Sequence, residues 1–259
     1  MKFEEKVARL RIEKHKGRET LEFLEDVKKM TEGEALEYLL GVVEFAGARI
    51  DLSLRPMIPR PETEHWVAQA IALEQERVEK KEGGKAHEEV KPLRVLDLFA
   101  GSGNVGLAIL KNIPESIVDF IEVDSKLESQ IVISLEKNKI ESGRAKVFIG
   151  DSWEGVTGTY NVITAVPPYV PPSMKEEVMK ELSAEDPLSF FDKEDGFYYH
   201  KQVLSRAKEF LKEDGILYLE FDITQREKIE ELAKEHSFTD YCFLQDPYGH
   251  DCVMKLKNS

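Results

Sequence analysis

From residue 93 to the end of the chain, short apolar runs alternate with segments whose apolar residues recur every three to four positions. The short runs are typical of buried β-strands, and the longer period is typical of amphipathic helices. The predicted strands are 94–98, 117–123, 146–149, 160–166, 215–221, 241–244 and 252–256, and the predicted helices are 105–111, 126–139, 197–212 and 225–235. This alternation predicts an α/β fold with a mainly parallel sheet and helices on both faces. The last two strands are close in sequence, so we expect an antiparallel pair at one edge.

The first 92 residues have a different pattern. Spaced apolar residues among charges predict one or two amphipathic helices in residues 1–30, and a further short helix is predicted over 33–43. The alternation in 44–52, followed by a proline-rich stretch, predicts a β-hairpin that leads into an extended loop. Thr63 is predicted to cap a helix that runs to about Lys80, and the polar residues 81–92 are predicted to form a surface loop. We therefore expect two units, a short helical segment with a hairpin (1–62) and the unit that contains the sheet (63–259).

Composition and charge narrow the class of protein. Of the 259 residues, 41% are hydrophobic, which is enough for a sizeable core, and the formal net charge is −14. An acidic surface repels phosphate backbones, so nucleic acid is an unlikely direct partner. The charged N-terminus is unlike a signal peptide, and no stretch of 18 apolar residues predicts a membrane span. The two cysteines, Cys242 and Cys252, are expected to be reduced structural thiols, which favours a cytoplasmic protein.

A glycine-rich segment follows the first strand of the sheet and precedes a helix. Gly101 and Gly103 permit a tight turn and close approach of a ligand to the backbone. With Gly106 they also match the GxGxxG fingerprint of dinucleotide-binding proteins, so an NAD(P)-binding protein is a competing interpretation. Asp97, at the end of the strand, would face a pyrophosphate unfavourably but would suit a cofactor with an ammonium and a sulfonium group.

Acidic residues also follow the next two strands. Asp124 can accept hydrogen bonds from ribose hydroxyls, although it can equally act as the N-cap of the helix that follows. Asp151 can accept from the amino group of an adenine, and either Ser152 or Trp153 can line the pocket for that ring. Trp153 can equally belong to the core.

The loop after the fourth strand contains four prolines, which stiffen it. This loop begins with Val166-Pro167-Pro168-Tyr169. Doubly wound folds bind ligands at the carboxyl ends of their strands, and this loop is expected to lie beside the glycine-rich segment. The competing interpretations are a rigid surface turn and a proline-rich peptide site.

These motifs occur in the order seen in amino-group methyltransferases with an Asn-Pro-Pro-Tyr motif. In addition, residues 55–64 (RPMIPRPETE) resemble the IPRPETE segment of the HemK/PrmC family of release-factor glutamine methyltransferases. The resemblance extends over roughly residues 31–256. It implies a Rossmann-like class I methyltransferase fold with a seven-stranded sheet, and no metal. The sequence has no long heptad pattern or apolar stripe, so we expect a monomer.

The resemblance also implies a reaction and a set of site residues. A methyl group would pass from S-adenosylmethionine to the side-chain amide nitrogen of a glutamine in a peptide chain release factor. The implied catalytic residues are those of the proline-rich loop: Val166, Pro167, Pro168 and Tyr169. The implied cofactor-binding residues lie at the strand ends: Asp97, Phe99, Ala100, Gly101, Ser102, Gly103, Asp124, Asp151, Ser152, Trp153 and Val166.

Two features depart from the family. The helical segment before the match has only about 30 residues, and Val166 occupies the position of the family's asparagine. In the family, that asparagine and a proline carbonyl accept hydrogen bonds from the amide that is methylated, and valine cannot accept. Three interpretations remain open: a weak or redirected enzyme, a relative that binds cofactor and a protein partner without catalysis, or an engineered substitution. A nucleic-acid base methyltransferase is a further alternative, because Tyr169 could stack on a flipped base.

Overall fold

The computed structural model describes residues 1–82 and 91–259. Most of the loop predicted for residues 81–92 therefore lies outside the described residues. Within these two ranges, no helix is long and apolar enough to cross a membrane.

Three helices form the N-terminal segment. They are α1 (Phe3–Glu13), α2 (Leu21–Thr31) and α3 (Leu36–Leu40), so the prediction of amphipathic helices is confirmed. Their apolar faces share a small core made of Leu10, Phe23, Met30, Leu36 and Leu39. α3 ends earlier than predicted because Gly41, at φ +75°, stops it in the left-handed conformation that glycine adopts without strain.

The predicted β-hairpin and the helix after the proline-rich stretch are both present. Strands β1 (Val42–Phe45) and β2 (Ala48–Asp51) pair antiparallel, and α4 spans Pro61–Glu82. The predicted N-cap at Thr63 is wrong, because the helix begins at Pro61, whose fixed φ suits the first turn. The apolar side chains of the hairpin and of α4 join the main core. The division between residues 62 and 63 stays a prediction.

In the part of the chain that the structure describes, seven strands form the main sheet, as predicted. They are β3 (Leu93–Leu98), β4 (Ser116–Glu122), β5 (Ala145–Ile149), β6 (Tyr160–Ala165), β7 (Leu211–Glu220), β8 (Asp240–Gln245) and β9 (Asp251–Lys257), in the spatial order β5-β4-β3-β6-β7-β9-β8. β3 to β7 are mutually parallel, whereas β9 is antiparallel to both β7 and β8. The final strand of the chain therefore lies between β7 and the edge strand β8.

Helices cover both faces of the sheet. α5 (Asn104–Asn112) and α6 (Ser125–Lys137) pack with α4 and the hairpin in one core, and α8 (Tyr198–Phe210) and α9 (Arg226–Glu235) pack in the other. α7 (Lys175–Glu181) lies between β6 and α8 and was not predicted. No side chain of α7 is buried, so its sequence lacks the apolar period from which a helix is recognised.

Candidate active site

A cleft lies at the carboxyl ends of β3, β4, β5 and β6. The empty space in and around its mouth, open solvent included, is about 1080 Å³. The chain leaves β3 towards β4 on one side, and β6 lies on the other side, so the cleft occupies the switch point at which such sheets bind ligands. The predicted site residues that line it are Asp97, Phe99, Ala100, Gly101, Ser102, Asp124, Asp151, Ser152, Val166 and Pro168.

The glycine-rich segment forms the floor of the cleft in a backbone conformation that few residues adopt. Phe99, Gly101 and Gly103 all have positive φ angles, of 57°, 54° and 76°. Gly103 does not line the cleft, and a Cβ there would lie 3.0 Å from the Ile131 side chain. The positive φ and this close contact together favour glycine where α5 begins.

Glu122, at the end of β4, fixes the glycine-rich segment. Its buried carboxylate accepts hydrogen bonds from the Gly101 N–H at 2.7 Å and the Asp124 N–H at 2.9 Å. Burial raises the pKa of this carboxyl group. Glu122 also lines the cleft, although the sequence analysis did not select it. Its only signal in the sequence is its place at the end of an apolar strand.

Asp97 lines the cleft, and both of its carboxylate oxygens have partners within the protein. Oδ2 accepts from the Gly106 N–H at 2.9 Å, and Oδ1 accepts from the Thr164 hydroxyl at 2.7 Å. Complete burial raises the pKa of Asp97 to about 7, and the neighbouring charge of Glu122 adds to this shift. Asp97 therefore links β3, β6 and α5 beneath the cleft.

Asp124 is both at the N-cap of a helix and at the cleft, the two positions that the sequence analysis left open. Its Oδ1 accepts from the Lys126 N–H at 2.9 Å, so it caps α6, and the residue also lines the cleft. A carboxylate has enough lone pairs for the cap and for a ligand hydroxyl. Its contact with a ribose stays a prediction.

Ser152 and Trp153 point to different surroundings. Ser152 lines the cleft with Asp151, and its hydroxyl donates to Asp151 Oδ1 at 3.0 Å. Trp153 is buried in the core, where its indole stacks on Phe210 with ring centroids 4.9 Å apart and donates to the Gln202 carbonyl at 2.9 Å. Of the two residues predicted for the adenine pocket, Ser152 therefore lines the cleft and Trp153 belongs to the core, and their contact with an adenine stays a prediction.

The proline-rich loop is anchored to the end of β7. Val166 and Pro168 line the cleft, whereas Pro167 and Tyr169 do not. The Tyr169 hydroxyl lies 3.4 Å from Glu220 Oε1, and burial raises its pKa well above the ordinary value. The Tyr169 carbonyl also accepts from the Gln225 side chain at 3.1 Å.

Glu220 connects this loop with the segment that resembles IPRPETE. Its buried Oε2 accepts from the Thr63 hydroxyl at 2.9 Å and from the Trp66 indole at 2.6 Å. Burial raises the pKa of Glu220. Thr63 therefore serves as a donor that ties α4 to the sheet.

Residues 55–60 also line the cleft, together with Asp186, Leu188 and Ser189. Arg60 forms an ion pair with Glu185 at 2.6 Å, and the Ile58 N–H donates to the same carboxylate at 2.8 Å. Arg55 donates to the Ala184 carbonyl at 3.0 Å. Tyr199 completes the cleft, with its ring edge against Phe99 at a centroid distance of 5.3 Å. The sequence analysis missed Glu185 and Tyr199, which lie in segments without a catalytic motif.

Comparison with known proteins agrees with the predicted resemblance. The family model described as "Methyltransferase small domain" matches residues 86–187. A release factor glutamine methyltransferase of Streptococcus pneumoniae is 28% identical over 222 residues, which cover 84% of this chain and 73% of the relative. Another, from Thermodesulfovibrio yellowstonii, is 28% identical over 236 residues, which cover 90% of this chain and 80% of the relative.

Solved structures of the same fold have much lower identity. The catalytic domain of hMettl16, solved with an RNA hairpin, has a TM-score of 0.58 and 14% identity, covering 82% of this chain and 76% of that one. The Thermus thermophilus 16S rRNA N2 G1207 methyltransferase has a TM-score of 0.55 and 18% identity, covering 84% of this chain and 50% of that one. At such identities the likeness shows the fold alone. The sheet order and the solved structures show that the chain has the class I methyltransferase fold, and over most of its length its sequence is similar to release factor glutamine methyltransferases.

Proposed function

We propose that this chain methylates the side-chain amide nitrogen of a glutamine in a peptide chain release factor, with S-adenosylmethionine as the methyl donor. The observation that carries the proposal is the cleft itself. Acidic residues from three successive strand ends line it, as do Val166 and Pro168 of the proline-rich loop, which is tied through Glu220 to the IPRPETE-like segment. The relatives named for this reaction resemble the chain over most of its length.

The residues of the cleft fit this cofactor. Asp124 would bind the ribose, Asp151 and Ser152 the adenine, and Phe99 to Gly103 the methionine portion, with Asp97 nearby. These carboxylates suit a ligand that bears an ammonium and a sulfonium. When bound, the cofactor supplies an electrophilic methyl group. The predicted cofactor acids all belong to residues 63–259, which we propose as the cofactor-binding unit, and residues 55–60 also line the cleft.

The proline-rich loop would position the acceptor. The Pro167 carbonyl is proposed to accept a hydrogen bond from the glutamine amide, and Tyr169 to pack on the aliphatic part of its side chain. A primary amide is a poor nucleophile, so orientation provides much of the rate enhancement. Val166 cannot provide the second acceptor, and the absence of one such contact commonly costs roughly a hundredfold in rate. We therefore expect slow turnover, in the cytoplasm and by a monomer.

Val166 also favours a second candidate function. A chain that holds the cofactor but cannot orient an amide would bind a release factor without modifying it. The two functions predict the same cleft and differ only in turnover.

Mass spectrometry of a release factor, after incubation with cofactor and protein, tests both candidates. The natural chain, Val166→Asn and a surface control, Val132→Asn on α6, are compared at equal concentration. A mass gain of one methyl group at glutamine with the natural chain supports the enzyme. A gain only with Val166→Asn supports the binding protein. If neither the natural chain nor Val166→Asn methylates the release factor but both bind S-adenosylhomocysteine, the proposed acceptor is wrong. If they do not bind S-adenosylhomocysteine either, the proposed cofactor is wrong as well.

A further inference from the structure

An ion pair joins the turn after β5, which contributes Asp151 and Ser152 to the cleft, to the segment before α8. Lys193 Nζ, in the segment before α8, lies 2.9 Å from Asp151 Oδ2, in the turn after β5. The other oxygen of Asp151 accepts from the Ser152 hydroxyl. Both oxygens of the carboxylate are thereby oriented, and two lone pairs remain for a ligand. The Asp151 carboxylate raises the pKa of the Lys193 ammonium group above its ordinary value.

The segment that carries Lys193 has a fixed backbone. The neighbouring Asp192 is buried, and its carboxylate accepts hydrogen bonds from four backbone N–H groups, those of Glu194, Gly196, Tyr198 and Tyr199. The ammonium of Lys193 lies 5.0 Å and 5.1 Å from the ring centroids of Tyr198 and Tyr199, within the range of cation–π attraction. Lys193 therefore reaches Asp151 from a rigid base.

The turn on the other side is also fixed. Trp153 attaches it to α8 by its stacking on Phe210 and its hydrogen bond to the Gln202 carbonyl. Ser152, between Asp151 and Trp153 in the sequence, has a φ of 53°. The contacts of these two neighbours hold it in this left-handed conformation. Trp153 and Lys193 thus connect the turn after β5 to α8 and to the segment before it, at two points.

We propose that Lys193 is a positioning residue for the cofactor, which holds the Asp151 carboxylate in the orientation that accepts a hydrogen bond from the adenine 6-amino group. The inference rests on the proposed function, because it takes S-adenosylmethionine as the ligand. It adds a determinant of adenine recognition outside the motifs at the strand ends. Lys193 acts through Asp151, so its contribution exists only for ligands that carry a donor at that ring position.

The exposure of the pair sets the size of the effect. The side chains of Lys193 and Asp151 are 47% and 45% exposed. Ion pairs at such exposure contribute up to about 1 kcal/mol, which corresponds to a change of roughly two- to fivefold in a dissociation constant. Lys193 and Asp151 are 42 residues apart in the sequence, so no local motif indicates that they form a pair.

Calorimetric titration with two ligands tests the proposal. The ligands are S-adenosylhomocysteine and its analogue with hydrogen in place of the 6-amino group. The proteins are the natural chain, Lys193→Met, Lys193→Arg and the matched control Lys201→Met, since Lys201 is a similarly exposed lysine paired with Asp195 on the same part of the chain. We expect Lys193→Met to weaken the first ligand roughly two- to fivefold and to leave the second unchanged. Lys193→Arg and Lys201→Met are expected to resemble the natural chain with both ligands.

Three results would overturn the proposal. Equal weakening of both ligands by Lys193→Met would mean that the residue only supports the local fold. An unchanged affinity of Lys193→Met for S-adenosylhomocysteine would mean that Asp151 does not depend on Lys193 for its orientation. If the natural chain binds neither ligand, the proposed cofactor fails first and the role of Lys193 fails with it, so the two failures are distinguishable.

Discussion

Replacement of Asp97 by asparagine should remove a large part of the pH dependence of stability. The carboxylate is fully buried, with hydrogen bonds from Gly106 and Thr164. Asparagine has the same shape and can satisfy the same neighbours. Its oxygen can accept from the Gly106 N–H, and its amide can donate to the Thr164 hydroxyl, which has the Leu96 carbonyl within 3.5 Å as an alternative acceptor.

The magnitude follows from the pKa of Asp97, which rises from 3.8 to about 7 on folding. Between these two values the folded protein binds more protons than the unfolded chain, so the free energy of unfolding falls as the pH rises. A shift of this size is worth about 4 kcal/mol when complete, of which roughly 2 to 3 kcal/mol falls between about pH 5 and pH 8. The stabilisation by the neutral acid is thus present at low pH and lost above pH 7.

Urea unfolding at several pH values, followed by the fluorescence of the buried Trp66 and Trp153, measures the effect. We expect the natural chain to lose roughly 2 to 3 kcal/mol relative to Asp97→Asn between about pH 5 and pH 8. The raised pKa of Glu220 is common to both proteins and largely cancels in the difference. Asp240→Asn, at an exposed carboxylate on β8, serves as the control. Parallel curves for the natural chain and Asp97→Asn would refute the assignment of a neutral, buried acid.

Two further predictions concern the anchors of the cleft. Glu220→Ala should lower the free energy of unfolding by roughly 3 kcal/mol, because it leaves two buried donors without an acceptor; a loss below about 1 kcal/mol in urea unfolding would contradict this network. Trp153→Phe can keep the stacking on Phe210 but loses one hydrogen bond, so we expect a loss of about 1 kcal/mol and an affinity for S-adenosylhomocysteine within about twofold of the natural chain. A tenfold weaker affinity by calorimetry would instead place Trp153 at the cofactor.

The sequence was sufficient to predict the framework and much of the cleft. The alternation of apolar runs with helical periods predicted the seven strands, since each pattern reflects a local repeat. Asp97, Asp124 and Asp151 were predicted to converge because parallel strands end at the same edge of a sheet, and all three line the cleft. The confirmed resemblance to the release factor glutamine methyltransferases likewise depended on short, contiguous motifs.

The tertiary structure decided which side chains turn towards the cleft and which hold it together. Ser152 lines the cleft while its neighbour Trp153 enters the core, although both residue types suit an adenine pocket. Thr63 is an anchor to Glu220, 157 residues away, although its local sequence predicts a helix cap. The position of β9 between β7 and β8 also cannot be deduced from the order of the strands along the chain. A local pattern determines the period and the end of an element, whereas contacts between distant residues depend on the path that the chain takes through the whole fold.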